Sequence, residues 1–109
     1  MKKNLIALLV AATTSLSAFA WPDKPITLVV PFPPGGSTDL IARTISAKLG
    51  EKLGNATVVV ENKAGATGTI GATAVARATP DGHTLFVSSL GPFVIAPHLI
   101  KTSYDALKD

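Results

Sequence analysis

The apolar, β-branched run Ile26-Thr27-Leu28-Val29-Val30 stops at Pro31-Phe32-Pro33-Pro34-Gly35-Gly36 and passes at once into a helical pattern opening with Ser37-Thr38-Asp39. No other stretch constrains the fold as strongly. Pro31, Pro33 and Pro34 hold φ near one value and supply no amide donors, whereas Gly35 and Gly36 let the chain turn sharply and leave its main chain approachable. The first N–H groups of the following helix have no intrahelical partner and carry the positive end of its dipole. A strand, a rigid turn and a helix N-terminus in this order suit an anion such as a carboxylate or phosphate. They equally suit an ordinary strand-to-helix turn, and this stretch alone does not choose between the two.

Further along, apolar β-rich runs alternate with helical patterns, as in a parallel sheet of βαβ units and hence an α/β fold. Residues 26–30, 57–61 and 84–88 read as buried strands. Between the first two, Ile41, Ala42, Ile45, Leu49 and Leu53 recur at spacings of three and four, with Arg43, Lys48, Glu51 and Lys52 on the other side of the helix. Gly54-Asn55 should end this helix. Residues 69–78 read as an Ala-rich helix stopped by the turn Pro80-Asp81-Gly82. A short helix over residues 93–96 should be broken by Pro97. In open α/β sheets ligands bind beyond the carboxyl ends of the strands. The loops after the three strands should therefore share one edge and present backbone donors with the hydroxyls of Ser37, Thr38, Thr67, Ser88 and Ser89.

Residues 1–20 are set apart from this pattern. Lys2 and Lys3 precede an apolar run from Leu5 to Ala12, and Ala18-Phe19-Ala20 has the small residues of a signal-peptidase site. The run is too short for a membrane anchor. The expectation is a cleaved leader, with Trp21 as the new N-terminus and residues 21–109 as the folded part. The chain has a formal net charge of +3, but Lys2 and Lys3 supply two of its ten Lys and Arg residues, leaving eight against seven Asp and Glu. No basic stripe remains for nucleic acid. The absence of cysteine excludes a thiol enzyme, a Cys-ligated metal site and lipid attachment at a Cys. A folded part of about 89 residues can bury one modest core and is marginal alone.

The remaining motifs argue for binding rather than catalysis. Gly65-Ala66-Thr67-Gly68-Thr69-Ile70-Gly71 has G-x-x-G-x-x-G spacing after the second strand, unlike the dinucleotide fingerprint, and no P-loop sequence occurs. Spacing alone leaves it open between close strand–helix packing and ligand contact. Asp39, in the first helical turn, reads as a brace for the Gly35-Gly36 turn in preference to an acid/base group. His83 and His98 lack metal-ligand spacing and read as solvated side chains. Ser88-Ser89 has no nucleophile elbow and no nearby base. Neither a cofactor, a metal nor a catalytic residue is expected.

Several linked motifs carry a family resemblance. Trp21-Pro22-Asp23-Lys24-Pro25-Ile26, then Val30-Pro31-Phe32-Pro33-Pro34-Gly35-Gly36 with Ser37-Thr38-Asp39, resemble the mature start and first ligand loop of the Bug family, the periplasmic solute receptors of tripartite tricarboxylate transporters. Val59-Val60-Glu61-Asn62-Lys63-Ala64-Gly65-Ala66-Thr67-Gly68 resembles the second loop, with Lys63-Ala64 where Arg-Pro is usual and Thr67 where Gly is usual. The segment from Ala74 to Leu85 resembles the next helix, turn and strand, with His83 where Tyr is common. The resemblance implies the first lobe of a two-lobed periplasmic-binding-protein fold, truncated within or after that lobe. It also implies a small organic anion as ligand (a mono-, di- or tricarboxylate), a membrane permease as partner and a periplasmic location. The ligand-binding set it implies is Phe32, Pro33, Gly35, Gly36, Ser37, Thr38 and Asp39 in the first loop, Asn62, Gly65, Ala66, Thr67 and Gly68 in the second, and Ser88, Ser89 and Gly91 in the third. Phe32 is expected on the cleft wall, although it could equally plug the core. Two other readings stay open: an exported enzyme fragment that grips a phosphorylated substrate through the same glycine loops, and a nonfunctional truncated product.

Overall fold

The structure is a computed structural model that describes residues 20–109, so the expected leader lies outside the described residues except for Ala20. Three parallel strands, β1 (Ile26–Val30), β2 (Val58–Asn62) and β3 (Thr84–Phe86), form a sheet in the order β2-β1-β3. β1 is central because every residue in it is β-branched or apolar, which suits a strand buried on both faces. Ile26, Leu28, Val29 and Val30 are at most 2% exposed. Leu28 lies opposite Val60 on one side and Leu85 on the other.

Two helices cover the two faces. Asn62, in register with Val30, meets α1 (Ser37–Lys52). Pro31, one step further along the alternation, meets α2 (Thr69–Ala76). A short 3₁₀ turn (Ala66–Gly68) precedes α2, and after β3 a π-helical turn (Gly91–Ile95) runs into α3 (Ala96–Leu99). This is the parallel-sheet α/β lobe expected from the sequence.

Some boundaries and faces differ from expectation. The second strand begins and ends one residue later than expected. The third ends at Phe86 rather than residue 88, because its partner strand stops at Pro31, which has no N–H to continue the ladder. The last pairing across this edge runs from the Val87 N–H to the Val29 carbonyl, at 2.9 Å. α2 stops at Ala76 rather than residue 78. Pro97 does not break a helix: it sits in the first turn of α3, where a missing N–H costs nothing. The turn at residues 80–82 forms as expected, with Gly82 at φ +80°.

The face of α1 is the larger correction. Ile41 and Ile45, expected on the apolar face of the helix, are 56% and 45% exposed, whereas Asp39, Ala42 and Gly50 are buried. Small residues let the helix lie close to the chain beneath it: a Cβ on Gly50 would stand 2.7 Å from the Ala56 carbonyl oxygen. The rotation that seats these residues also turns the Asp39 carboxylate inward, so a polar network and close packing outweigh the 3–4 apolar period.

α2 depends on the same closeness. A Cβ at Gly71 would lie 3.0 Å from Pro31 Cβ and 3.1 Å from the Lys63 carbonyl oxygen, both held by rigid main chain. At Gly36, which has an ordinary extended backbone (φ −76°, ψ 169°), only the Pro33 carbonyl comes within 4 Å, at 3.7 Å. Gly71→Val is therefore expected to destabilise the fold by about 1–3 kcal/mol through overpacking. Gly36→Ala should leave stability within about 0.5 kcal/mol of the parent. Thermal unfolding followed by circular dichroism checks the contrast.

Candidate ligand site

The first loop is held by the helix it precedes. Gly35, at φ +88°, turns its N–H back to donate to Asp39 Oδ2 at 2.9 Å. A residue with a side chain would be strained in this left-handed conformation, so glycine is required for the bend. Arg43, one turn further along α1, donates from Nε to the same oxygen at 2.9 Å. Asn62, at the carboxyl end of β2, donates from Nδ2 to Asp39 Oδ1 at 2.9 Å and to the Phe32 carbonyl at 3.1 Å. Arg43 Nη2 donates to Asn62 Oδ1 at 3.3 Å, which closes the ring of contacts.

Buried carboxylates are costly unless paired and hydrogen-bonded, and this one receives three donors. The Arg43 hydrogen bond, then those from Gly35 and Asn62, hold the Asp39 carboxyl well below the usual carboxylate range. Asp39 thus braces the turn, as the sequence suggested. Arg43, placed by periodicity on the solvent side, is its partner. The Asp39–Arg43 spacing of four residues on a helix was the signal that could have revealed it.

With Asp39 engaged on Gly35, no side chain caps the N-terminus of α1. The helix N-terminus opens on a cavity of 310 Å³ lined by Phe32, Gly36, Ser37, Thr38 and Ser89. Phe32 supplies an apolar wall, and Ser37, Thr38 and Ser89 supply hydroxyls. Ser88, next to Ser89, turns its hydroxyl to the Ser89 carbonyl at 3.3 Å. Pro33 and Gly35 are exposed in the same loop without lining the cavity. A larger cavity of 490 Å³, lined by Phe93, Pro97, His98 and Tyr104 among others, shares no residue with this one.

The second loop carries backbone strain. Gly65, Ala66, Thr67 and Gly68 have φ of 129°, 46°, 57° and 87° in succession. The two residues with side chains sit in the left-handed region, at about 1–2 kcal/mol each. The turn is pinned by the Gly68 N–H donating to the Gly65 carbonyl and by the Thr69 hydroxyl donating to the Ala66 carbonyl, both at 2.9 Å. Gly68 itself is buried, with room for no Cβ nearer than 3.2 Å to Pro92, so its place is packing. Gly65, Ala66 and Thr67 are exposed, and Gly91 packs against the Thr67 carbonyl, joining the second loop to the third. Asn62 lies between the first two loops as a strut. Of the fifteen expected residues, the structure brings five together around the cavity; the others hold, flank or pack the loops.

The histidines separate. His98 is exposed, as expected, but His83 is buried and not solvated as its place in a turn suggests, because the Trp21 ring packs over it. No cluster of three His, Cys, Asp or Glu side chains fit for a metal ion exists among the described residues.

A parallel α/β lobe whose strand-end loops gather an uncapped helix N-terminus, hydroxyls and an apolar wall is the architecture of a periplasmic solute-binding lobe. Residues 41–109 match the tripartite tricarboxylate transporter family receptor, and the chain belongs to that family. It is 45% identical over 96 residues to protein BugT of Bordetella pertussis, covering 86% of this chain and 29% of BugT. It is similar in structure to MatC of Rhodopseudomonas palustris with bound malate, at a TM-score of 0.74 and 46% identity over 79% of this chain and 29% of MatC. It also resembles an R. palustris protein with adipate, at a TM-score of 0.57 and 45% identity over 61% of this chain and 22% of the other. The chain spans about three tenths of the length of the curated relatives it matches. No helix among the described residues is long and apolar enough to cross a membrane.

Because folding lowers the Asp39 carboxyl below its ordinary value of 3.8, the stabilisation is complete above that value and fades as pH falls through it. Asp81, pushed down to about 2 chiefly by its bond to Lys24, acts in the same direction. Thermal midpoints should therefore drop on acidification from pH 4 to pH 2. Asp39→Asn should be less stable than the parent at neutral pH and show a shallower acid slope, as measured by thermal melts across the series.

Proposed function

We propose that the chain is the ligand-gripping first lobe of a periplasmic receptor for small organic carboxylates, exported by cleavage after Ala20 and serving a membrane permease of the tripartite type. The observation that carries this reading is the uncapped N-terminus of α1 facing the cavity between Phe32, Ser37, Thr38 and Ser89. Free N–H groups at the positive end of a helix dipole favour a carboxylate, and hydroxyls add neutral donors that orient it. The relatives with malate and adipate bound hold dicarboxylates, and both share this part of the fold. Half a cleft leaves a ligand solvated on one side. The reading therefore has a second α/β lobe closing over the anion, desolvating it and adding donors, with the ligand then passed on unchanged.

Calorimetry with malate, adipate and inorganic phosphate tests this on two proteins: the 109-residue chain, and the same chain continued by the remainder of MatC. The continued protein should bind a dicarboxylate, and the short chain should bind it at least about a hundredfold more weakly, a difference of about 2.8 kcal/mol. In the continued protein Gly36→Val, which places a branched side chain at the helix N-terminus without requiring a forbidden φ, should weaken binding at least about tenfold, with His98→Ala unchanged. Binding of phosphate in preference to both dicarboxylates would favour the phosphorylated-substrate reading. A Gly36→Val protein that folds and binds like its parent would remove the site from this loop.

A further inference from the structure

At the end of the sheet opposite the ligand loops, His83 is only 6% exposed although it lies in a turn rich in Pro, Asp and Gly. What covers it is the segment leading into β1. The Trp21 ring lies 5.6 Å from the imidazole, centre to centre, and its edge also packs on Gly82. Asp23 Oδ1 stands 3.0 Å from Nε2, and Asp81 Oδ1 stands 3.3 Å from Nδ1. Neither oxygen lies along a ring N–H direction, so neither contact is a directed hydrogen bond. Asp81 is itself held by Lys24 Nζ at 2.6 Å and accepts the His83 backbone N–H at 3.0 Å. The charged groups at the imidazole are therefore Asp23 from the leading segment and Asp81 from the turn, with Lys24 behind Asp81; β1 meets His83 through its main chain, the Thr27 N–H donating to the His83 carbonyl at 2.8 Å.

A neutral imidazole offers the two carboxylates no charge, whereas the imidazolium places a positive charge 3.0 Å from the Asp23 oxygen and 3.3 Å from the Asp81 oxygen. We infer that His83 is a proton-operated latch: charged, it pins residues 21–24 across the turn before β3, and uncharged, it releases them. The latch closes beside the first rung between β1 and β3, so its state bears on the order of that edge. The inference does not depend on what the loops at the other pole bind.

Trp21 is the only tryptophan in the chain, so its emission reports the latch alone. Fluorescence of the 109-residue chain is followed across the histidine range, about pH 5 to 8. The expected result is a single transition with a red shift as pH rises and Trp21 leaves the imidazole. His83→Gln should abolish the transition and show the red-shifted emission throughout. Asp23→Asn, at a residue whose side chain is 61% exposed, leaves the core untouched and should shrink the transition by removing one of the two carboxylates the latch grips. Emission that does not change with pH in the parent would overturn the latch, as would the same transition in His83→Gln. Should circular dichroism show His83→Gln unfolded, an undiminished transition in Asp23→Asn overturns it instead.

Discussion

One buried carboxylate sets the geometry of the candidate site. Asp39 draws in the Gly35 amide from its own loop, the Arg43 guanidinium from its own helix and the Asn62 amide from the next strand end. Each of these groups could be satisfied by water; together, out of water, they are fixed to one another, since a buried polar group that loses a partner forfeits more than the bond was worth. The first loop, the start of α1 and the end of β2 therefore behave as one rigid piece. Because Asp39 spends its oxygens on this network, the N-terminus of α1 is left uncapped where the cavity opens.

The rest of the site follows from how close the main chain can come. Pro31 ends β1 and is then packed by Gly68 and Gly71, which seats α2 and the second loop against the first. Left-handed Ala66 and Thr67 show that this second turn is held by its surroundings against local preference. Such strain persists only where neighbouring structure over-determines it, and it is common in loops that grip ligands. Several large apolar side chains, including Ile41, Ile45 and Leu99, stay exposed on a chain that spans about three tenths of its relatives.

Much of this was legible in the sequence. The Pro/Gly break after an all-apolar run located β1, the loop and the start of α1, because prolines and glycines act through local backbone sterics. The placement of the three loops on one edge followed from strand–helix alternation alone. The inward face of α1 did not follow, since it is set by a carboxylate and small residues, which apolar periodicity does not weigh. Arg43 was passed over for the same reason: a charged residue on a helix is solvated unless a partner four residues away is itself buried. His83 was misjudged because its cover comes from residues 21–23, distant in sequence. Only the pairing of β1 with β3 brings Asp23 and Asp81 to either side of the ring.

The central claim is that Asp39 couples the two loops through Asn62, and hydrogen exchange at the Gly35 amide reads this directly. In the parent the Gly35 N–H should exchange slowly although its loop is exposed, and Asn62→Ala, a change in the other loop, should speed it markedly while amides in β1 stay protected. Free exchange at Gly35 in the parent, or protection unaltered by Asn62→Ala, would contradict the account.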